Sequence, residues 1–129
     1  MRVAILGSGN GGTAAAFEWA QAGHEVSLWD FEEFGENIAA IAASGHIEGR
    51  VKFEGTAPVR YAGHDLARAV DGADLVLIVG PAYAHEAMGE ALRGHLVRSG
   101  VPVRYVYDSQ AYHFENAWAR RFPAAAEWL

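Results

Sequence analysis

The chain reads as an α/β domain: a doubly wound, mainly parallel sheet of about five strands with helices on both faces. Three observations predict this class. Apolar runs without polar alternation, above all Leu75-Val76-Leu77-Ile78-Val79, suit strands covered on both faces. These runs alternate with stretches of helical spacing, and strand–helix–strand–helix order is the pattern of a parallel sheet. Glycines stand at the joints, where strands must turn into helices.

Each element follows in order. Val3 to Leu6 is a short apolar strand that stops at glycines. Gly11 to Ala22 reads as a helix, rich in alanine and carrying Phe17, Trp19 and Ala20; Gly23 is a natural residue to end it. Glu25 to Asp30 is the second strand, with Val26 and Leu28 on one face. Phe34 to Ala43 is helical, with Ile38, Ile41 and Ala42 at helical spacing and Gly45 beyond. Residues 46–61 break the alternation. Gly49, Gly55 and Pro58 divide them into three short segments, Ile47-Glu48, Val51-Lys52-Phe53 and Val59-Arg60-Tyr61. They are expected to form a small strand excursion before the chain rejoins the sheet. A short helix over Asp65 to Val70 and a strong strand over Asp74 to Val79 follow. Pro81 suits the first turn of the helix Ala82 to Val97, where Ala84, Met88, Leu92 and Leu96 recur every four residues. Val101 to Tyr107 is expected as a last strand and Phe114 to Phe122 as a terminal helix.

A length of 129 residues is that of one domain, expected to span 1–129. A chain this size buries about 65% of the surface its unfolded form exposes, enough for a core without disulfides or metal. The apolar fraction of 51% and the charged fraction of 20% are those of a globular protein and exclude a disordered chain. The net charge of −6 disfavours nucleic acid and anionic membrane as partners, because both require a cationic footprint. With no cysteine there is no disulfide, thiolate metal site or thiol nucleophile. The opening apolar run is too short for a signal peptide, and no stretch approaches the ~20 apolar residues of a membrane span. A cytoplasmic location is the expectation.

The chemistry is concentrated in Gly7-Ser8-Gly9-Asn10-Gly11-Gly12, a G-x-G-x-x-G pattern at Gly7, Gly9 and Gly12. Glycine-rich turns are common, so the pattern alone is weak; its context makes it specific. It follows the first strand, opens a helix, and precedes a second strand ending in Asp30, at the ~20-residue distance of the dinucleotide fingerprint. Gly7 permits the tight turn. Gly9 lets the backbone approach a diphosphate. Gly12 lets the helix pack closely. The free N–H groups of Ser8, Asn10 and Gly11 and the positive helix end then face the phosphates. Asp30 is expected to accept hydrogen bonds from the adenosine ribose and to repel a 2′-phosphate. Glu32, Glu33 and Glu36 add negative charge, and no Lys or Arg occurs between Arg2 and Arg50. The cofactor expected is therefore NAD rather than NADP. The bland alternative is a glycine turn beside a solvated acid.

A second feature is Gly80-Pro81-Ala82-Tyr83-Ala84-His85, at the carboxyl end of the fourth core strand, beside the switch point where ligands bind in such sheets. Gly80 and Pro81 are expected to line the cofactor and Tyr83 to cover it. The competing reading is a proline that starts a helix, with Tyr83 and His85 on its surface. His24, His46, His64, His95 and His113 are scattered, without metal-ligand spacing on a helix face, and read as surface or turn residues; no metal is expected. No G-x-S-x-G elbow or Walker pattern is present.

On these residues the chain resembles the NAD-binding half of the opine (octopine/nopaline) dehydrogenases and, more distantly, glycerol-3-phosphate dehydrogenase and ketopantoate reductase. The resemblance is carried by Gly7 to Gly12, Gly23-His24-Glu25-Val26 to Trp29-Asp30, Ala73 to Val79, and Pro81 to His85. It covers roughly residues 1–100, and Asn10-Gly11-Gly12 is its most specific part. It implies a Rossmann fold and an oxidoreductase that joins an amino acid to a 2-oxo acid and reduces the imine with a nicotinamide cofactor. The family's catalytic histidine lies in a following helical domain, which this sequence does not contain, so no catalytic residue is assigned. After Gly100 the strand ends Tyr107-Asp108-Ser109-Gln110, where the family has an Asn-Pro-Gly-like turn.

Phe114, Trp118 and Phe122 recur every four residues in the tail, an aromatic stripe that must be buried. It packs on its own sheet, or it meets a second copy or a separate catalytic subunit through residues 111–129. Three functional readings follow: the cofactor part of a dehydrogenase whose other parts lie elsewhere, a standalone NAD(H)-binding sensor or subunit, and a folded but idle remnant. Hydride transfer needs the nicotinamide held against a substrate with water excluded, so turnover by this chain alone is not expected.

Overall fold

In a computed structural model of the chain, the described residues are 1–49 and 54–103. Four parallel strands form the main sheet: β1 (Arg2–Leu6), β2 (Glu25–Trp29), β5 (Tyr61–Gly63) and β6 (Leu75–Ile78). Their order across the sheet is β5-β2-β1-β6. The first strand is therefore central, with Val3 opposite both Val26 and Leu75, and Ile5 opposite both Leu28 and Leu77. That position explains the unbroken apolar run: Val3 to Leu6 are all buried.

Alternation along each strand sorts side chains to two faces. On one face Val3, Ile5, Val26 and Leu28 pack against α1 (Asn10–Gln21), through Ala16, Phe17 and Ala20, and against Ile41 of α2 (Gly35–Ser44). On the other face Leu6 and Trp29 pack against Ala69 of α3 (Leu66–Val70) and Met88 of α4 (Ala82–Arg98). Helices thus cover both faces, and the fold is the expected doubly wound α/β, or Rossmann-like, class.

The helix ends have local causes. Gly23 (φ 87°) turns the chain out of α1 and its N–H bonds the Ala20 carbonyl at 3.0 Å; Gly45 (φ 73°) does the same for α2 by bonding Ile41 at 2.8 Å. Asp65 caps α3 by accepting from the Arg68 N–H at 3.1 Å. Pro81 is the capping residue that precedes α4 rather than part of its first turn, with ψ 152°. A 3-10 turn, Glu32–Phe34, precedes α2, so the helix begins one residue later than its periodicity predicts.

The excursion at 46–61 is partly as expected. β3 (His46–Gly49) and β4 (Gly55–Pro58) form an antiparallel hairpin, with Ile47 opposite Ala57, and both side chains are buried in the α1 cluster. The expected segment Val51 to Phe53 lies outside the described residues. The third segment requires correction. Val59 and Arg60 are connection, and Tyr61 opens β5, a strand of the main sheet that continues to Gly63. The Arg60 N–H bonds Val26 and the Asp30 N–H bonds Gly63, at 2.8 and 3.4 Å, which sets this three-residue strand beside β2. Its short Tyr-Ala-Gly sequence carries no hydrophobic pattern to announce it. Of the expected fifth strand, Val101 to Pro102 and Val103 are described and are not in a strand; the rest, and the terminal helix with its aromatic stripe, lie outside the described residues.

Candidate functional site

The carboxyl ends of β1, β2 and β6 meet at one cleft. Gly7 leaves β1 with φ 118°, its N–H bonded to the Trp29 carbonyl at 2.7 Å, while the Val79 N–H bonds Leu6 at 2.8 Å. The end of β1 is thereby tied to both neighbours. A β-carbon on Gly7 would collide with the Val79 carbonyl, and one on Gly12 would collide with the Gly7 carbonyl. Both glycines are required by backbone contacts, as the pattern predicts. Gly9 differs: nothing lies within 4 Å of where its β-carbon would stand. Its missing side chain leaves open space above the turn.

Gly9 is also the capping residue of α1. No side chain caps this helix, and its first turn contains no acid. The N-terminal amide groups and the positive end of a twelve-residue helix therefore face the cleft without an internal anion to satisfy them. A diphosphate matches that demand in charge and in hydrogen-bonding capacity. The residues present fit a dinucleotide.

The cleft encloses about 320 Å³, within the range of small-ligand sites. Gly7, Gly9, Asn10, Gly11, Gly12 and Asp30 line one part of it, and Gly80, Pro81 and Tyr83 line the other. Nine of the ten residues singled out in the sequence thus come together. Ser8 does not line the cleft. It is buried, and both its donors point to Asp30: the backbone N–H at 2.6 Å and the hydroxyl at 2.7 Å, both to Oδ2.

Asp30 is 4% exposed and borders the cleft at the end of β2. Its Oδ1 accepts the Phe31 N–H at 2.9 Å. Its main-chain carbonyl accepts from His64 Nδ1 at 2.9 Å, and the Trp29 indole N–H bonds the His64 carbonyl at 2.9 Å. The acid is held from both sides. Among the described residues no Lys, Arg or His lines the cleft, and Glu32, Glu33 and Glu36 sit on the adjoining turn. The site offers a 2′-phosphate no cation among the described residues.

Five further residues line the cleft that sequence reading did not assign: Phe34, Asn37, Val79, Ala84 and Met88. Phe34 is 40% and Tyr83 82% exposed, so an aromatic ring stands on each side. Phe34 closes the 3-10 turn that follows Asp30 and Asn37 lies in the first turn of α2, and neither belongs to a motif. Met88 comes from the second turn of α4 and Val79 from the end of β6, and only packing brings them here. Among the described residues no three His, Cys, Asp or Glu side chains gather to hold a metal, and no helix is long and apolar enough to cross a membrane.

Fold and cleft together define an NAD(P)-binding domain of a dehydrogenase. The sequence model described as NAD-dependent glycerol-3-phosphate dehydrogenase N-terminus matches residues 2–106, and the chain belongs to that family. It is 36% identical over 100 residues to glycerol-3-phosphate dehydrogenase (NAD(P)+) of Chelativorans sp. (strain BNC1), which covers 73% of this chain and 29% of that protein. It is 39% identical over 88 residues to the enzyme of the same name from Mesorhizobium japonicum, covering 67% and 24%. For that of Anaeromyxobacter sp. (strain K) the identity is 30% over 103 residues, covering 80% and 30%. The chain thus spans about three tenths of the length of the curated relatives it matches. Glycerol-3-phosphate dehydrogenase, one of the two more distant resemblances read from the sequence, is the family shown, and the opine dehydrogenases are not.

Proposed function

We propose that this chain is the cofactor-holding part of a dehydrogenase that prefers NAD(H) to NADP(H) and takes its substrate-binding and catalytic groups from another domain or subunit. The observation that carries the reading is the glycine cradle: two glycines imposed by backbone contact, and a third, Gly9, with open space where a side chain would be. The bound nicotinamide would accept a hydride in an oxidation, as NAD+, or supply one in a reduction, as NADH. The chain's own residues bind and orient it. The first turn of α1 faces the diphosphate, Asp30 accepts a ribose hydroxyl with Phe34 bordering that end, and Tyr83 covers the cofactor at the Gly80–Pro81 end. Gly80 and Pro81 form the wall that continues toward the substrate side.

The family match favours oxidation of a polyol phosphate, with glycerol 3-phosphate as the first substrate to test. A second reading, reductive joining of an amino acid to a 2-oxo acid, is supported by Asn10-Gly11-Gly12. A standalone NAD(H)-binding module is the non-catalytic alternative. The proposal places the protein in the cytoplasm and its contact with a second copy or a catalytic subunit in residues 111–129. It involves no nucleic acid or membrane.

Titration with NADH and NADPH, read by quenching of the four tryptophans, tests the reading. NADH is expected to bind in the micromolar to sub-millimolar range, with NADPH at least about tenfold weaker. Absence of quenching by either removes the cofactor assignment, and equal affinities remove the NAD preference. Turnover of NAD+ with glycerol 3-phosphate, or of NADH with pyruvate and amino acids, separates the two enzymatic readings from the binding module.

A further inference from the structure

Ser8 occupies the one position of the glycine turn that carries a buried polar side chain. It is 2% exposed, does not line the cleft, and its hydroxyl donates to Asp30. Asp30 Oδ2 receives two short hydrogen bonds from this one residue, 2.6 Å from the N–H and 2.7 Å from Oγ. Oδ1 receives one, from Phe31 N. A carboxylate offers about four lone-pair sites, so Oδ2 is saturated and Oδ1 keeps one site open. Asp30 thus has room for one ribose hydroxyl, and Ser8 and the Phe31 N–H together fix its orientation.

We propose that Ser8 is a positioning residue for nucleotide selectivity. Its hydroxyl locks the Asp30 carboxylate against the ribose site, so the acid cannot swing aside to admit a 2′-phosphate. The inference rests on the NAD(H) reading above and goes beyond it, because it moves part of the selectivity to a side chain that does not line the cleft. Two fixed donors on one oxygen leave the carboxylate no rotation that keeps both. With the hydroxyl removed, the Ser8 N–H still holds Oδ2 and the Phe31 N–H still holds Oδ1, so a turn of the carboxylate gives up two bonds instead of three.

The test is the ratio of NADPH to NADH dissociation constants for the full chain and for Ser8→Ala, Ser8→Thr and Asp30→Ala. Ser8→Ala is expected to lower the ratio at least about threefold, chiefly by tightening NADPH, as loss of a hydrogen bond to a charged group allows. Ser8→Thr, which retains the hydroxyl, is expected to restore it. A ratio unchanged by Ser8→Ala, or equal weakening of both nucleotides, overturns the proposal, because a purely structural serine would affect both alike. If Asp30→Ala narrows the ratio and Ser8→Ala does not, only the role of Ser8 fails. If the unaltered chain shows no preference, the NAD(H) selectivity itself fails. A thermal melt of each variant confirms that the comparison is made between folded proteins.

Discussion

The carbonyl oxygen of Gly7 stands where the β-carbon of any other residue at position 12 would have to be. This contact joins the exit of β1 to the first turn of α1 and sets the helix axis at the cleft. It also separates two glycines that look equivalent in the sequence. Gly12 is demanded by the protein's own backbone, and Gly9 is demanded by no contact among the described residues.

Gly12→Ala and Gly9→Ala should therefore part company. Gly12→Ala must displace backbone and is expected to cost about 1–3 kcal/mol, lowering the melting temperature by several degrees and abolishing NADH binding. Gly9→Ala, with φ −67° and open space around it, should melt like the parent and still bind NADH at least about tenfold more weakly, since one lost contact of ~1.4 kcal/mol is tenfold. Circular dichroism melts with parallel titrations measure both. Undiminished NADH binding by Gly9→Ala would mean that no diphosphate approaches the turn there.

The electrostatics of the cleft predict a gain of function. Asn37 is exposed on α2 and lines the cleft beside Asp30. Asn37→Arg introduces the cation that the described site lacks. A guanidinium pairs bidentately with phosphate, so NADPH should bind at least about fivefold tighter while NADH changes little. Loss of that gain at high salt would identify it as Coulombic.

Two aromatic rings flank the cleft without serving the core. Tyr83→Ala removes a side chain that is 82% exposed and should leave the melting temperature within about a degree of the parent. Phe34→Ala, 40% exposed, should be nearly as mild. If the rings stack on a base, each truncation should weaken NADH by about 1–3 kcal/mol, the scale of base–aromatic stacking. NADH titration of the two variants distinguishes rings that grip the nucleotide from rings that only border it.

The core under the site sets a contrasting expectation. Leu28 is fully buried on β2, paired in register with Ile5 and packed beneath α1. Leu28→Ala is expected to cost about 2–5 kcal/mol through lost burial and the cavity left behind. Urea unfolding should show a lower midpoint at unchanged slope. A cost below ~1 kcal/mol would show that this part of the core closes around the cavity.

The fingerprint was legible because its constraints are local. A strand, a turn with positive φ at Gly7 and a helix capped by Gly9 are neighbours in the chain, and glycine is the residue such geometry selects. The alternation that predicts helices on both faces was legible for the same reason: burial on two sides leaves continuous apolar runs. β5 was not, because three residues of Tyr-Ala-Gly are too short to show a period and are held in place by β2. The cleft wall contributed by Phe34, Asn37 and Met88 was not legible either, since none belongs to a motif.

What the sequence determined by itself is the doubly wound class, the glycine turn and the acid that follows it. All three are written in residue types whose conformational or solvation demands act over a few positions. Tertiary structure alone decided that Ser8 and Asp30, 22 residues apart, would bond to each other instead of both facing the cleft. The register of β1 against β2, Leu6 beside Trp29, brings the two strand ends level, and a buried carboxylate takes the nearest donors.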